Sequence, residues 1–351
     1  MSGYKFGGHV NIGYNPAFTP DITEQYSATG ANASLVAGEG NTLKGSYNYI
    51  FGRDNTILEA NSSQCNIVMG SGSSIAGGVV NTLFGFDATI DENSSYSNAM
   101  GYTAMVKNSL AATVLGYGAM ASGAQTSVAI GPLANATANS AVAIGMCSGT
   151  AQYAVAIGFE SNGGGQTSTA IGGGSTTAEN AISIGKDSNA QTVGAIALGK
   201  GNMGAGRYGG LRVNANGGRT SYASYQICQS IGQTTNATPL LIYLSEQDAT
   251  DGAFICSTGK LTHFEVIVQG RVDSTTVGCV YKLEGAVVRD NNASNNPAFL
   301  GSVTKTVIHE SDAGMDAAIT INNTAKSLEL TVTGKAATDI QWLATWHIHE
   351  N

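Results

Sequence analysis

Three carboxylates, Glu246, Asp248 and Asp251, lie close enough in the chain for a glycosidase to draw an acid and a base or nucleophile from them. The segment that holds the last two, DATDG, has the composition of a turn, and a solvated loop is the plainer account of them. His347 and His349 stand two residues apart in WHIHE. On a strand that spacing puts both imidazoles on one face, opposite Trp342, Trp346 and Ile348. Three copies about an axis would gather six imidazoles, enough for octahedral coordination, so His347 and His349 are the candidate metal ligands. Two solvent-facing histidines are the plainer account. Tyr208, Tyr222 and Tyr225 offer rings that could stack on a sugar or pack a domain junction. No GxSxG, HExxH or Walker-type loop occurs. The expectation is therefore a chain without enzymatic activity, with no catalytic residues, no resident cofactor and a receptor-binding site that no residue identifies.

The elements that would position these groups follow from composition and period. The 351 residues include 47 Gly and 5 Pro, with 11% charged and 7% aromatic residues. Ile and Val recur on a fixed beat, so the glycines punctuate structure rather than fill a linker. The formal charge is −8 and Lys and Arg never cluster, which argues against nucleic acid as a partner. No apolar run reaches the roughly 18 residues of a membrane span. The first 20 residues lack the apolar core of a signal peptide. Cys65, Cys147, Cys228, Cys256 and Cys279 are odd in number and contain no CxxC pair. They read as small buried side chains made in a reducing compartment.

An internal repeat organises the first two thirds of the chain. SVAIG at 127–131 is followed by AVAIG at 141–145 and 154–158, STAIG at 168–172, AISIG at 181–185 and AIALG at 195–199. Weaker copies carry the register back through glycines 116, 101, 85, 70, 52 and 38, with spacings loosening from 13–14 to as many as 18. The residue before each glycine is always apolar. Strand residues alternate faces, so Ile130, Ile144, Ile157, Ile171, Ile184 and Leu198 are expected to form the stacked repeat core. The intervening Ala129, Ala143, Ala156, Ala170 and Ala197 would then face outward. A column of small outward residues suggests close approach of a sister chain, so these alanines are the subunit-interface candidates. A second short strand of small residues follows each glycine, giving strand, turn, strand, turn per coil.

At these residues the sequence resembles the head repeats of YadA-like trimeric adhesins, over about residues 35–200. That resemblance implies a left-handed parallel β-roll with three chains about one axis. The tail is similar to C-terminal modules of tailed-bacteriophage fibre proteins. The stretches that carry this likeness are TTNATPLLIYL (234–244), FEVIVQGRV (264–272), GCVYKLEGAVVRD (278–290) and LELTVTGKAATDIQWLATWHIHE (328–350).

The expected fold is all-β: a trimeric parallel β-solenoid followed by an antiparallel β-sandwich-like domain. Residues 1–34 would cap the roll or attach it to the virion, and 35–200 would form about twelve coils of 13–18 residues. Residues 201–222 would be a Gly-rich neck, and 223–351 the tip, with strands at 223–231, 239–245, 261–270, 277–288, 299–309, 317–322, 327–333 and 339–349. The two resemblances together imply a homotrimeric phage tail fibre or receptor-binding protein, made in the host cytoplasm and carried on the virion. Its N-terminus would meet a baseplate, tail or neck protein, and its tip a host surface receptor, a glycan among the candidates. It would engage neither nucleic acid nor the membrane interior. The alternatives are a head or neck decoration fibre, a tailspike polysaccharide depolymerase, and the passenger of a bacterial trimeric adhesin.

Overall fold

The computed structural model describes residues 10–11, 35–45, 47–58, 65–123, 125–200, 202–203, 210–215, 223–244, 253–273 and 275–351. Apart from Val10–Asn11, the expected 1–34 cap lies outside the described residues, as does most of the 201–222 neck. Tyr208, Tyr222 and the Glu246, Asp248 and Asp251 group lie outside them too. The chain is all-β, with a solenoid of about eleven turns where the repeats suggested about twelve. Its contacts divide into two compact units, Met1–Ser175 and Thr176–Asn351, a division that falls inside the run expected to be roll.

In the first unit each coil has a front strand and a back strand, and both stack in parallel on the coils before and after. Val128, Ala129 and Ile130 lie on Val142, Ala143 and Ile144, which lie on Val155, Ala156 and Ile157. The back strands keep the same register, with Thr42–Leu43 on Thr56–Ile57 and Thr56–Ile57 on Ser74–Ile75. Val10–Asn11 adds a parallel rung beneath Leu35–Glu39. Positive φ at the corners makes such short strands close into a coil. Tyr47, Val80, Tyr96, Thr126 and Tyr153 precede front strands with φ between 53° and 59°. The left-handed conformation costs an L-residue about 1–2 kcal/mol, and the ladders above and below hold it in place.

The structure reverses the two faces expected of the front strand. Ala129, Ala143, Ala156, Ala170 and Ala197 are buried inside the coil. Ile130, Ile144, Ile157, Ile171, Ile184 and Leu198 lie on the outer face, Ile144 being 37% and Ile184 39% exposed. The reason is steric. In the late coils the two strands lie too close for a large aliphatic side chain between them. A methyl group on Gly149 would come within 3.0 Å of the Val142 carbonyl oxygen, and one on Gly163 within 3.2 Å of the Ala154 methyl. Alanine, serine, threonine, glycine and Cys147 occupy that space.

The earlier coils, 14 to 18 residues long, have room for more. Ile50, Ile57, Val68, Ile75, Leu83 and Ile90 are fully buried between their strands. Their corners are closed by buried asparagines arranged as ladders. Asn41 Oδ1 accepts from the Asn55 amide at 3.0 Å, and Asn55 Oδ1 from the Ser73 amide at 3.1 Å. Asn55 Nδ2 donates to the Gly70 carbonyl at 2.7 Å. At the other corner Asn48, Asn66 and Asn81 each accept from the backbone amide one coil on, at 2.9, 2.9 and 3.0 Å. Buried amides therefore replace water for corner backbone groups that the sheets cannot reach.

The second unit opens with the same motif, Ile182–Ile184 pairing in parallel with Ile196–Gly199. Leu211–Ala215 adds in parallel to Ile196–Gly199 and then turns the sheet antiparallel by pairing with Ala223–Thr234. From there Ala223–Thr234, Ile340–Glu350, Lys260–Val272, Gly278–Arg289 and Thr304–Glu310 lie side by side. A second sheet centres on Ser327–Thr333, flanked by Asp316–Asn322 and by the short Leu240–Ile242 and Phe254–Ile255 strands. Phe264, Val266, Tyr281, Leu283, Trp342 and Trp346 from the first sheet meet Phe254, Ile319, Leu328, Leu330 and Val332 from the second. The antiparallel tip module agrees with the expected strands except in two places. The run 299–309 is two strands, Ala298–Phe299 and Thr304–Glu310, and Phe254–Ile255 carries too short an alternation to be seen in sequence. All five cysteines are free thiols, four buried, with Cys65 exposed at a positive-φ corner rather than buried as expected.

Candidate assembly face and tip surface

The outward aliphatics form ordered columns. In the first unit Val128, Val142 and Val155 line up beside Ile130, Ile144, Ile157 and Ile171, stacked residue on residue. Ile144 is exposed and the others are partly buried, so the columns present a regular apolar surface. Further back the neighbouring column turns polar, with Thr82, Asn98 and Thr113, while the other continues as Met69, Phe84, Met100 and Leu115. Beside these coils Phe86, Tyr102 and Tyr117 stack ring on ring, with centroids 5.5 and 5.4 Å apart. All three rings remain about half exposed.

In the second unit one face passes without interruption from roll to tip. Ile196 and Leu198 register with Leu211 and Val213, these with Ile227 and Tyr225, and these in turn with His347 and His349. His347 and His349 do share one side of the Ile340–Glu350 strand, with Trp346 and Ile348 buried on the other. The structure adds partners that sequence spacing did not reveal. The Tyr225 hydroxyl and His347 Nδ1 are hydrogen-bonded at 2.6 Å, and the His349 ring lies 4.7 Å from that of Tyr225. His263 comes from the next strand, its ring 5.8 Å from that of His349. Among the described residues of one chain, no three His, Cys, Asp or Glu side chains are placed to hold a metal ion. Coordination by His347 and His349 would need several copies.

Beside the histidines runs a chain of charges. Lys282 Nζ lies 2.7 Å from Glu265 Oε2 and 3.0 Å from Glu284 Oε2, and His263 Nε2 is 3.3 Å from Glu284 Oε1. Hydrogen bonding from Lys282 first, then His263, holds the Glu284 carboxyl below its ordinary range. A folded pKa below the unfolded one contributes stability that is present above the ordinary glutamate range, about 4.3, and lost as pH falls through the folded value. Lys282→Met is expected to raise the Glu284 titration midpoint, followed by carboxyl NMR shifts. An unmoved midpoint would mean that Lys282 does not govern this carboxylate.

The other side of the sheet is anchored by indole donors. Trp342 Nε1 donates to Thr234 Oγ1 at 2.8 Å and Trp346 Nε1 to Ser230 Oγ at 2.9 Å. The buried asparagines were also missed in sequence, although Asn-Thr-Leu at 41–43 and Asn-Thr-Ile at 55–57 repeat at one coil's spacing.

Two stretches, 124–146 and 177–202, match the YadA head domain repeat. SVAIG at 127–131, AVAIG at 141–145, AISIG at 181–185 and AIALG at 195–199 fall within these stretches. No curated protein matches it. Among solved structures, it is similar to the tailspike protein gp49 of the Acinetobacter baumannii bacteriophage Fri1, a capsular polysaccharide depolymerase. The identity is 6% and the TM-score 0.29, over 92% of this chain and 59% of that one. It is also similar to the Acinetobacter baumannii phage AM24 tailspike protein, at 10% identity and a TM-score of 0.26, over 97% of this chain and 78% of that one. The chain thus spans less than two thirds of the first of these proteins. The expectation of a chain without enzymatic activity is corrected here, since one protein it is similar to is a depolymerase. At such identities and TM-scores the likeness assigns neither an activity nor a substrate to this chain.

Proposed function

We propose that this chain is the subunit of a homotrimeric phage tail fibre that attaches the virion to its host. The observation that carries the reading is the outward aliphatic column on coils that match the YadA head domain repeat. Val128, Ile130, Val142 and Ile144 left facing water would forfeit part of the burial that normally justifies such residues, about 25 cal/mol per Å² of apolar surface. Three chains packed on this face recover it. In this reading the roll sets reach, the N-terminal residues meet a tail or baseplate protein, and the tip meets a surface receptor, a glycan among the candidates. Three tips on one body convert weak single contacts into durable adhesion.

Sedimentation of the purified chain is expected to give the mass of three copies, and the assembled protein to compete with virions for adsorption to host cells. A monomer at micromolar concentration would refute the assembly. A trimer that binds the particle but not the cell would place it as a decoration fibre instead. Release of oligosaccharide from host capsule would add a depolymerase activity to the attachment role.

A further inference from the structure

The inner and outer faces of the roll change together along the chain. Between the strands of the early coils lie Ile50 and Ile57, Val68 and Ile75, Leu83 and Ile90, all fully buried. From Ser127 onward the interior holds alanine, serine, threonine, glycine and Cys147, and valine and isoleucine take the outer positions. The same inversion occurs after the division between units, where Ser183 and Ala197 are inside and Ile182, Ile184, Ile196 and Leu198 outside.

Polar satisfaction changes at the same place. The early corner asparagines all have partners within the chain. Among the described residues of the roll, the buried side-chain atoms without a partner are Ser127 Oγ, Asn135 Oδ1, Ser183 Oγ and Asn189 Oδ1, all in the late coils. Late coils therefore gain less from their own chain in both apolar burial and hydrogen bonding.

We infer that the roll has two regimes of autonomy. The coils from Asn41 to Ser122 fold within a single chain, and those from Ser127 to Leu198 close only against sister copies. This rests on the trimeric reading and adds to it which segment depends on the partners. The partner is a parallel, in-register copy of this chain. The exposed rows repeat at one strand spacing, about 4.8 Å, and a second copy carries the same period and the same side chains at every row.

Hydrogen exchange by mass spectrometry on the full chain tests this. Ile144→Asn combined with Ile157→Asn is expected to dissociate the trimer. Amides at 127–171 should then exchange at least about 100-fold faster while 41–121 keep wild-type protection, since opening of a local cooperative unit sets the rate. Thr56→Asn with Ser74→Asn, outward on the back strands of early coils and off the aliphatic face, is expected to leave both the trimer and the protection unchanged. A dissociated chain with both segments equally protected, or both unprotected, overturns the inference, and so does dissociation by the back-strand pair. A wild-type chain that sediments as a monomer instead removes the trimeric reading itself.

Discussion

Replacing Gly52 with alanine is expected to break the roll between its neighbouring coils. Gly52 has φ +122°, outside any well that an L-residue occupies comfortably, and an added Cβ would sit 1.9 Å from the Gly70 carbonyl oxygen. Both objections concern backbone, so no rotamer change relieves them. The same contact recurs along the column, with a Cβ on Gly38 at 1.7 Å from the Gly52 oxygen and one on Gly70 at 1.7 Å from the Gly85 oxygen. A loss above about 4 kcal/mol, at the extreme of single substitutions, is the expected scale. Gly123→Ala is the matched control. Its φ is +67° and its added Cβ would meet nothing nearer than 4.0 Å, so the left-handed penalty of about 1–2 kcal/mol is all that applies. Urea denaturation of the two variants separates them, and equal midpoints would show that the glycine column is not a steric requirement.

The second large effect is expected in the tip. Trp346 is 2% exposed, sits in the core between the two sheets and donates its indole N–H to Ser230. Trp346→Ala combines a cavity with a buried hydroxyl that loses its partner, for about 3–5 kcal/mol. His347→Ala, one residue along on the outer side, removes a partly buried ring and its bond to Tyr225. The expected loss there is about 1 kcal/mol. Denaturation followed by the fluorescence of Trp342, which both variants keep, reads this contrast. Comparable losses would mean that the outer face contributes to the tip's stability as much as its core does.

The roll was legible in the sequence because its period is written in identical residues: glycine, the apolar residue before it and the alanine before that. The tip strands were legible because apolar and polar residues alternate over seven to thirteen positions, as in KLTHFEVIVQGRV. What could not be read from the six late copies was which side of the front strand is the inside. A period of two assigns Ala143 and Ile144 to opposite faces and says nothing about which face is enclosed. Apolarity does not decide it either, because a face covered by another chain is selected as strictly as one covered by its own. The early copies held the answer. The position of Ala129 is occupied by Ile50, Val68 and Leu83 in register, while polar Thr82, Asn98 and Thr113 take the position of Val128. The contacts around His347 and His349 were beyond reach for another reason. Tyr225 and His263 join them from strands more than 80 residues away, and only the sheet order brings those rows together.

Parallel stacking in fixed register has one more consequence. Because Val142 lies on Val128 and Val155 on Val142, excising residues 142–154 would set Val155 directly on Val128, Ala156 on Ala129 and Ile157 on Ile130. Every ladder would close again, shortened by one rung of about 4.8 Å. A coil touches only the coils next to it, so the gene can lengthen or trim the molecule in whole increments, like links on a watch strap, without redesigning either end.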